Sequence, residues 1–237
     1  MKQHLLWLLA SLTLLFQLSA CSTTAVKTKL TNSPQTSVVI SNNTKGWHYA
    51  RFRIPYPKNS QPNWSMGPLI AVEIIQPVLN KHRKKIQLWR FHRRAVHDGG
   101  GHLFSFIFYT DKTTASQIYQ EIQANKLLQQ LEKEQKLAML KPEDLSKNPR
   151  PHIEDTSDKN WSLIIQKTWP EYIMGVSQQW LNMVTEISKD QEKILQPIAR
   201  YKKVQDIATK IWIHEGKHAF LHHLNAIYAY QPLLMYY

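Results

Sequence analysis

Apolar and polar side chains alternate with a period near two over Trp47-His48-Tyr49-Ala50-Arg51-Phe52-Arg53-Ile54, and Pro55 and Pro57 stop the run, which predicts a strand. After a loop rich in Pro, Asn and Ser, Pro68 stands where a first helical turn tolerates it. Leu69 to Arg83 therefore reads as a helix, kinked at Pro77. Ile86 to Val96 and His102 to Thr110 are two further strand-like runs of branched and aromatic residues. The Asp98-Gly99-Gly100-Gly101 turn between them accepts the positive dihedrals a hairpin demands. Thr113 to Met139 predicts one long helix with Ile118, Ile122, Leu127, Leu128 and Leu131 as its apolar stripe. Beyond Pro149 and Pro151, Trp161 to Thr168 is expected to form a fourth strand. The remainder reads as helical: Pro170 to Ser188, Gln191 to Lys203 interrupted at Pro197, and Val204 toward Tyr230.

Strand, helix, strand, strand, helix and strand is the chain order of a split βαβ or ferredoxin-like unit. The expected fold class is α+β, an N-terminal βαββα(β) unit followed by a helical C-terminal half. Residues 46–140 form the α+β unit, 141–160 a linker, and 161–237 a mainly helical region packed on it. Phe104-Ser105-Phe106-Ile107-Phe108-Tyr109 resembles the aromatic strand of RNA recognition motifs, but Leu103 stands where that motif has glycine and the first strand lacks the companion motif. Three phenylalanines on one strand face are instead expected to be the core face of a sheet under helices.

The N-terminus alters where such a body would sit. Lys2 and His4 precede an apolar stretch from Leu5 to Leu18, followed by Leu18-Ser19-Ala20-Cys21. The tetrapeptide resembles the lipobox of bacterial lipoproteins, and the resemblance covers residues 1–22. It implies that residues 1–20 are a signal peptide, that Cys21 is the lipidated residue carrying diacylglycerol, and that the membrane is a partner through this anchor. The apolar run is shorter than the roughly 20 residues that cross a bilayer. In Gram-negative lipoproteins Asp after the cysteine favours the inner membrane. Ser22 therefore implies the outer membrane, in an envelope of that type. Residues 21–45, rich in Ser, Thr and Asn, read as a flexible tether.

Composition sharpens two points. The chain of 237 residues has a single cysteine, which excludes an internal disulfide and any site needing several thiolates. Lys and Arg number 30 against 17 Asp and Glu, a formal net charge of +13. Seven of these cations, Lys81, Arg83, Lys84, Lys85, Arg90, Arg93 and Arg94, fall in a stretch without an acid. In an envelope, anionic lipid headgroups or acidic polysaccharide are the ligands this run would meet. An exported protein is not expected to have a nucleic-acid partner. The leading reading is a binding or scaffolding lipoprotein, with no catalytic role.

The competing reading is chemical. His214-Glu215-Gly216-Lys217-His218 resembles the H-E-x-x-H signature of zinc metallopeptidases, which implies zinc as cofactor, His214 and His218 as its ligands, and Glu215 as general base of a hydrolase. An i, i+4 pair on one helix brings two ring nitrogens within reach of one ion. Gly216 threatens that helix and Lys217 places a cation beside the ion. Val204, Ile207, Ala208 and Ile211 form an apolar stripe whose extension would turn His214, Glu215, His218, His222 and Asn225 toward the interior. A third ligand would come from His97, Asp98, His102, Glu154, Asp155 or Asp158. His97, Asp98 and His102 otherwise belong to the hairpin tip. The tryptophans at 161, 169, 180 and 212 are expected as core anchors, with glycan stacking the other use of such rings in an envelope protein.

Overall fold

The structure, a computed structural model, describes residues 44–147, 150–194 and 196–231, all inside one compact unit spanning 40–237. The signal peptide, Cys21 and nearly all of the expected tether lie outside the described residues. The protein is α+β. Four antiparallel strands, β1 (Lys45–Ile54), β2 (Leu88–Ala95), β3 (His102–Asp111) and β4 (Ala138–Met139), lie in the order β2-β3-β1-β4.

Between β1 and β2 runs α1 (Met66–Leu69), which passes through a π-helical segment (Ile70–Ile75) into α2 (Gln76–His82). Pro77 directly follows the π segment, at the start of α2 within one continuous helical run. The long helix expected over 113–139 is two helices and a strand: α3 (Lys112–Gln123), α4 (Lys126–Lys133), and β4 where helix was expected. Asn125 causes the break. Its extended backbone starts α4, its Oδ1 accepts from Leu128 N at 3.0 Å, and its Nδ2 donates to the Glu73 carbonyl at 3.1 Å.

The strand expected over 161–168 is a second correction. Those residues open α5 (Leu163–Asp190), with Ser162 as N-cap and Pro170 inside the helix. α6 (Pro197–His214) runs without interruption from Pro197 at its start. A turn at Glu215, a π segment (Lys217–His222) and the short α7 (His223–Ile227) follow.

The pleat sorts the sheet into two unlike faces. Ala50, Phe52 and Ile54 of β1, Trp89 of β2, and Phe104, Phe106 and Phe108 of β3 are buried against the helices, joined by Leu69, Ile70 and Ile74 before them and by Leu181, Val184, Tyr201 and Val204 of α5 and α6. The phenylalanine strand is therefore core, under helices. On the other face Trp47, Leu88, Ile107 and Tyr109 make a smaller cluster, packed by Ile153 and Met174. Backbone carbonyls bind it down: the Trp47 indole N–H donates to His152 and Ile153 at 3.0 Å each, and the Tyr109 hydroxyl donates to Pro151 at 2.7 Å. All buried apolar side chains of both clusters lie between Trp47 and Ala208.

Candidate functional site

Beyond that small cluster the second face turns cationic, and strand register explains how. Antiparallel pairing sets Arg53 and Arg94 on either side of Leu103, Arg51 and His92 on either side of Ser105, and Tyr49 and Arg90 on either side of Ile107. Side chains opposite one another share a face, so β1 and β2 form two cationic rails flanking a neutral strip on β3. Two strand spacings place the rails about 10 Å apart. Like charges in neighbouring strands repel, and the protein offsets part of that locally. Arg51 pairs with Glu143, which also holds Arg150, and Arg94 pairs with Asp98. Arg53 and Arg90 have no carboxylate partner among the described residues. Arg53 is exposed, as is His92.

The β2 rail continues into an open cleft of about 470 Å³ beside the sheet edge, lined among others by Arg90, His92, Thr156, Asp158, Trp161 and Trp169. The Arg90 guanidinium lies 4.9 Å from the Trp169 ring centroid, and Trp161 meets Trp169 edge-on at 5.4 Å. Arg90 Nε and Thr156 Oγ1 are buried without a hydrogen-bond partner. Unpaired polar atoms bordering an open cleft are the kind a polar ligand satisfies. Burial lowers the Arg90 pKa, and it also lowers that of His92, which the nearby Arg90 and Arg94 push further in the same direction. Asp158 is the acid in the cleft, and its Oδ1 accepts from Asn160 N at 2.8 Å.

The acid-free run from Lys81 to Arg94 is not one surface. Lys81, Arg83, Lys84 and Lys85 gather at the C-terminal end of α2, where cations complement the helix dipole. Lys81 pairs with Glu121 at 2.8 Å, and Arg83 reaches over Trp89. Arg90 and Arg94 face the rails. Arg93 points to the opposite face, between Trp180 at 4.6 Å and Phe104 at 5.9 Å, where burial alone lowers its pKa to about 10.

At the hairpin tip the Asp98 carboxylate accepts from Gly100 N at 2.8 Å and Gly101 N at 3.2 Å, and Gly101 takes φ +61°. Arg94 and these two amides hold the Asp98 pKa well below the usual range. His97 stacks on Tyr56 at 3.9 Å, and His102 is buried beside Tyr56 and Trp64.

The H-E-x-x-H residues correct an expectation. His214, Glu215, His218 and His222 are exposed, not turned inward. His214 closes α6, Glu215 lies in the turn, and His218 belongs to the π segment, so no continuous helix carries the pair. The interruption is at Glu215 (φ −116°); Gly216 after it keeps helical dihedrals and is buried with the Trp212 ring 2.9 Å from where a Cβ would stand, and Trp212 stacks on Phe220 across the turn. The fold instead gathers His218, His222 and His223, with ring centroids 5.2 to 5.4 Å apart. The planes of His218 and His222 are within 9° of parallel, so their in-plane lone pairs do not converge. Among the described residues no group of three His, Cys, Asp or Glu side chains is arranged to hold a metal ion. Glu154, Asp155 and Asp158 lie in or just after the 3-10 turn (Ile153–Thr156).

Arg51 and Arg53, half of the cationic face, escaped the sequence reading, although their signal was present. They occupy alternate positions between Ala50, Phe52 and Ile54, the pattern of a half-buried strand with charges outward. Compared with protein-family models, curated proteins and solved structures, the chain finds no match.

Proposed function

We propose that this protein is an envelope lipoprotein anchored through a diacylglyceryl Cys21, with the outer membrane its site in a Gram-negative envelope, and that it binds anionic polysaccharide without a catalytic role of its own. One observation carries the binding half of that reading: two rails of arginines, Arg51 and Arg53 against Arg90 and Arg94, flank a neutral strip on the second face of the sheet. Repeated anionic groups on an extended chain match such rails, and a sugar ring matches the exposed Trp161, beside the half-buried Trp169, at the end of one rail. The same proposal takes residues 46–140 as a ferredoxin-like unit, supported by the β2-β3-β1-β4 order, and residues 161–237 as the helical region packed on it.

The test is retention of the Ser22–Tyr237 protein on immobilised heparin, an anionic glycan probe, as salt is raised. This form keeps every residue of both cores. Arg53→Ala with Arg94→Ala is expected to weaken binding about tenfold or more and to flatten its salt dependence, whereas Lys84→Ala with Lys85→Ala leaves it near wild type. Loss confined to the Lys84/Lys85 variant would move the site to the end of α2. Retention unaffected by either pair rejects glycan binding by cationic residues.

A further inference from the structure

Single large apolar side chains on a surface need no explanation, whereas a contiguous set marks something that docks. The C-terminal part of the described chain exposes such a set: Trp212, Ile213, Leu221, Ile227, Tyr228 and Tyr230, with Ile227 80% and Tyr228 66% exposed. Part of it lines a groove of about 440 Å³ in which Tyr172 and Val176 of α5 face Trp212, Phe220, Leu221 and Ile227. Trp212 and Phe220 stack across the turn at Glu215, ring centroids 6.1 Å apart and planes 15° apart, and Leu221, Ile227 and Tyr228 beyond it stay exposed.

Charge decides among the occupants. Within residues 210–230 the exposed charged side chains are Lys210 and Lys217, against one acid, Glu215. Neither lysine has a carboxylate partner among the described residues. A second copy of the same surface would bring two lysines against two, with one glutamate apiece to offset them. An anionic bilayer offers what both halves of the surface require: headgroups for Lys210 and Lys217, an interfacial layer for Trp and Tyr, and acyl chains for Ile and Leu. After Gln231 the sequence continues Pro-Leu-Leu-Met-Tyr-Tyr, apolar and uncharged.

We infer that the surface from Trp212 to Tyr230 docks on the interface of an anionic phospholipid bilayer. It rests on different residues from the cationic rails and does not depend on the glycan reading. No helix of the described residues is long and apolar enough to span, so the contact is peripheral.

The experiment is co-sedimentation of the Ser22–Tyr237 protein, which has no lipidated cysteine, with phosphatidylethanolamine vesicles containing a minor fraction of phosphatidylglycerol, and with phosphatidylcholine vesicles. Wild type is expected to bind the anionic vesicles, weakly at high salt, and to bind phosphatidylcholine far less. Ile213→Ser, Leu221→Ser and Ile227→Ser together should lower partitioning about tenfold or more. All three side chains are exposed, and an unchanged circular dichroism spectrum and urea midpoint check that the fold survives. Arg53→Ala with Arg94→Ala should leave vesicle binding nearly intact. Partitioning unchanged by the triple substitution overturns the inference. So does self-association by sedimentation velocity without lipid that the triple substitution abolishes, since the occupant is then a second copy.

Discussion

Individual residues here respond to burial more than to chemistry. His48 is the clearest: it is 4% exposed, its Nε2 donates to the Thr110 carbonyl at 3.3 Å, and burial lowers its pKa from 6.5 to about 4, the hydrogen bond opposing and nearby Arg150 assisting. Between those two values the unfolded chain holds a proton that the folded chain rejects. Stability therefore rises with pH through that window and is lost as pH falls through it, by on the order of 2–3 kcal/mol. His92 and His102, also lowered chiefly by burial, act in the same direction. The urea midpoint is expected to drop between pH 7 and pH 4.5, and His48→Gln to shrink that drop. A variant with the full wild-type drop would show that His48 does not carry it. The sequence shows His48 only as one position of a strand. That it faces the core follows from register and the helices above it.

At the scale of elements, small polar residues decided what apolar periodicity left open. The stripe of Ile118, Ile122, Leu127, Leu128 and Leu131 fits one helix as well as two. Asn125 separates them, because its side chain satisfies an α4 amide and reaches across to the Glu73 carbonyl in the π segment. Asn125→Ala removes both bonds and is expected to cost about 1–2 kcal/mol in urea unfolding. Asn125→Asp keeps the cap and loses the donor, so it should fall between. Equal stability of all three proteins would refute the double role. Trp161 to Thr168 misled for a related reason. Branched and aromatic residues favour a strand on average, but Ser162 caps a helix whose later turns reach Leu181 and Val184 in the core, and that packing outweighs local preference. The strands β1, β2 and β3 and the turn at Asp98 were legible because their polar residues alternate with apolar ones or concentrate in glycines. β4, two residues long, has no period to read.

For the whole molecule the proposals give three attachments: a lipid at Cys21, a glycan across the sheet, and a bilayer surface at the C-terminal end. Diacylglycerol at Cys21 supplies two acyl chains, which anchor stably by themselves, so the C-terminal contact would orient the body on the membrane more than retain it there. Cys21 is the only cysteine, so metabolic labelling with palmitate has one side chain to report. Label is expected in the wild type and absent from Cys21→Ser. A wild type without label would remove the anchor and leave the C-terminal surface as the membrane contact. The candidate sites were only partly legible. The run from Lys81 to Arg94 was visible as charge, yet a strand sends alternate residues to opposite faces, so Arg93 went to the core side while Arg90 and Arg94 met Arg51 and Arg53 from a strand about forty residues earlier.

What the sequence by itself determined is whatever depends on neighbours along the chain: the lipobox resemblance, the strands β1, β2 and β3, the glycine turn and the excess of positive charge. What only the tertiary structure decided is whatever depends on residues far apart in sequence: which face each arginine occupies, that His48 is buried in the core, and that the histidines near 214–223 lie outside. The physical reason is that local dihedral preference and periodicity act over a few residues, whereas strand register and burial are set by contacts that close loops of tens of residues.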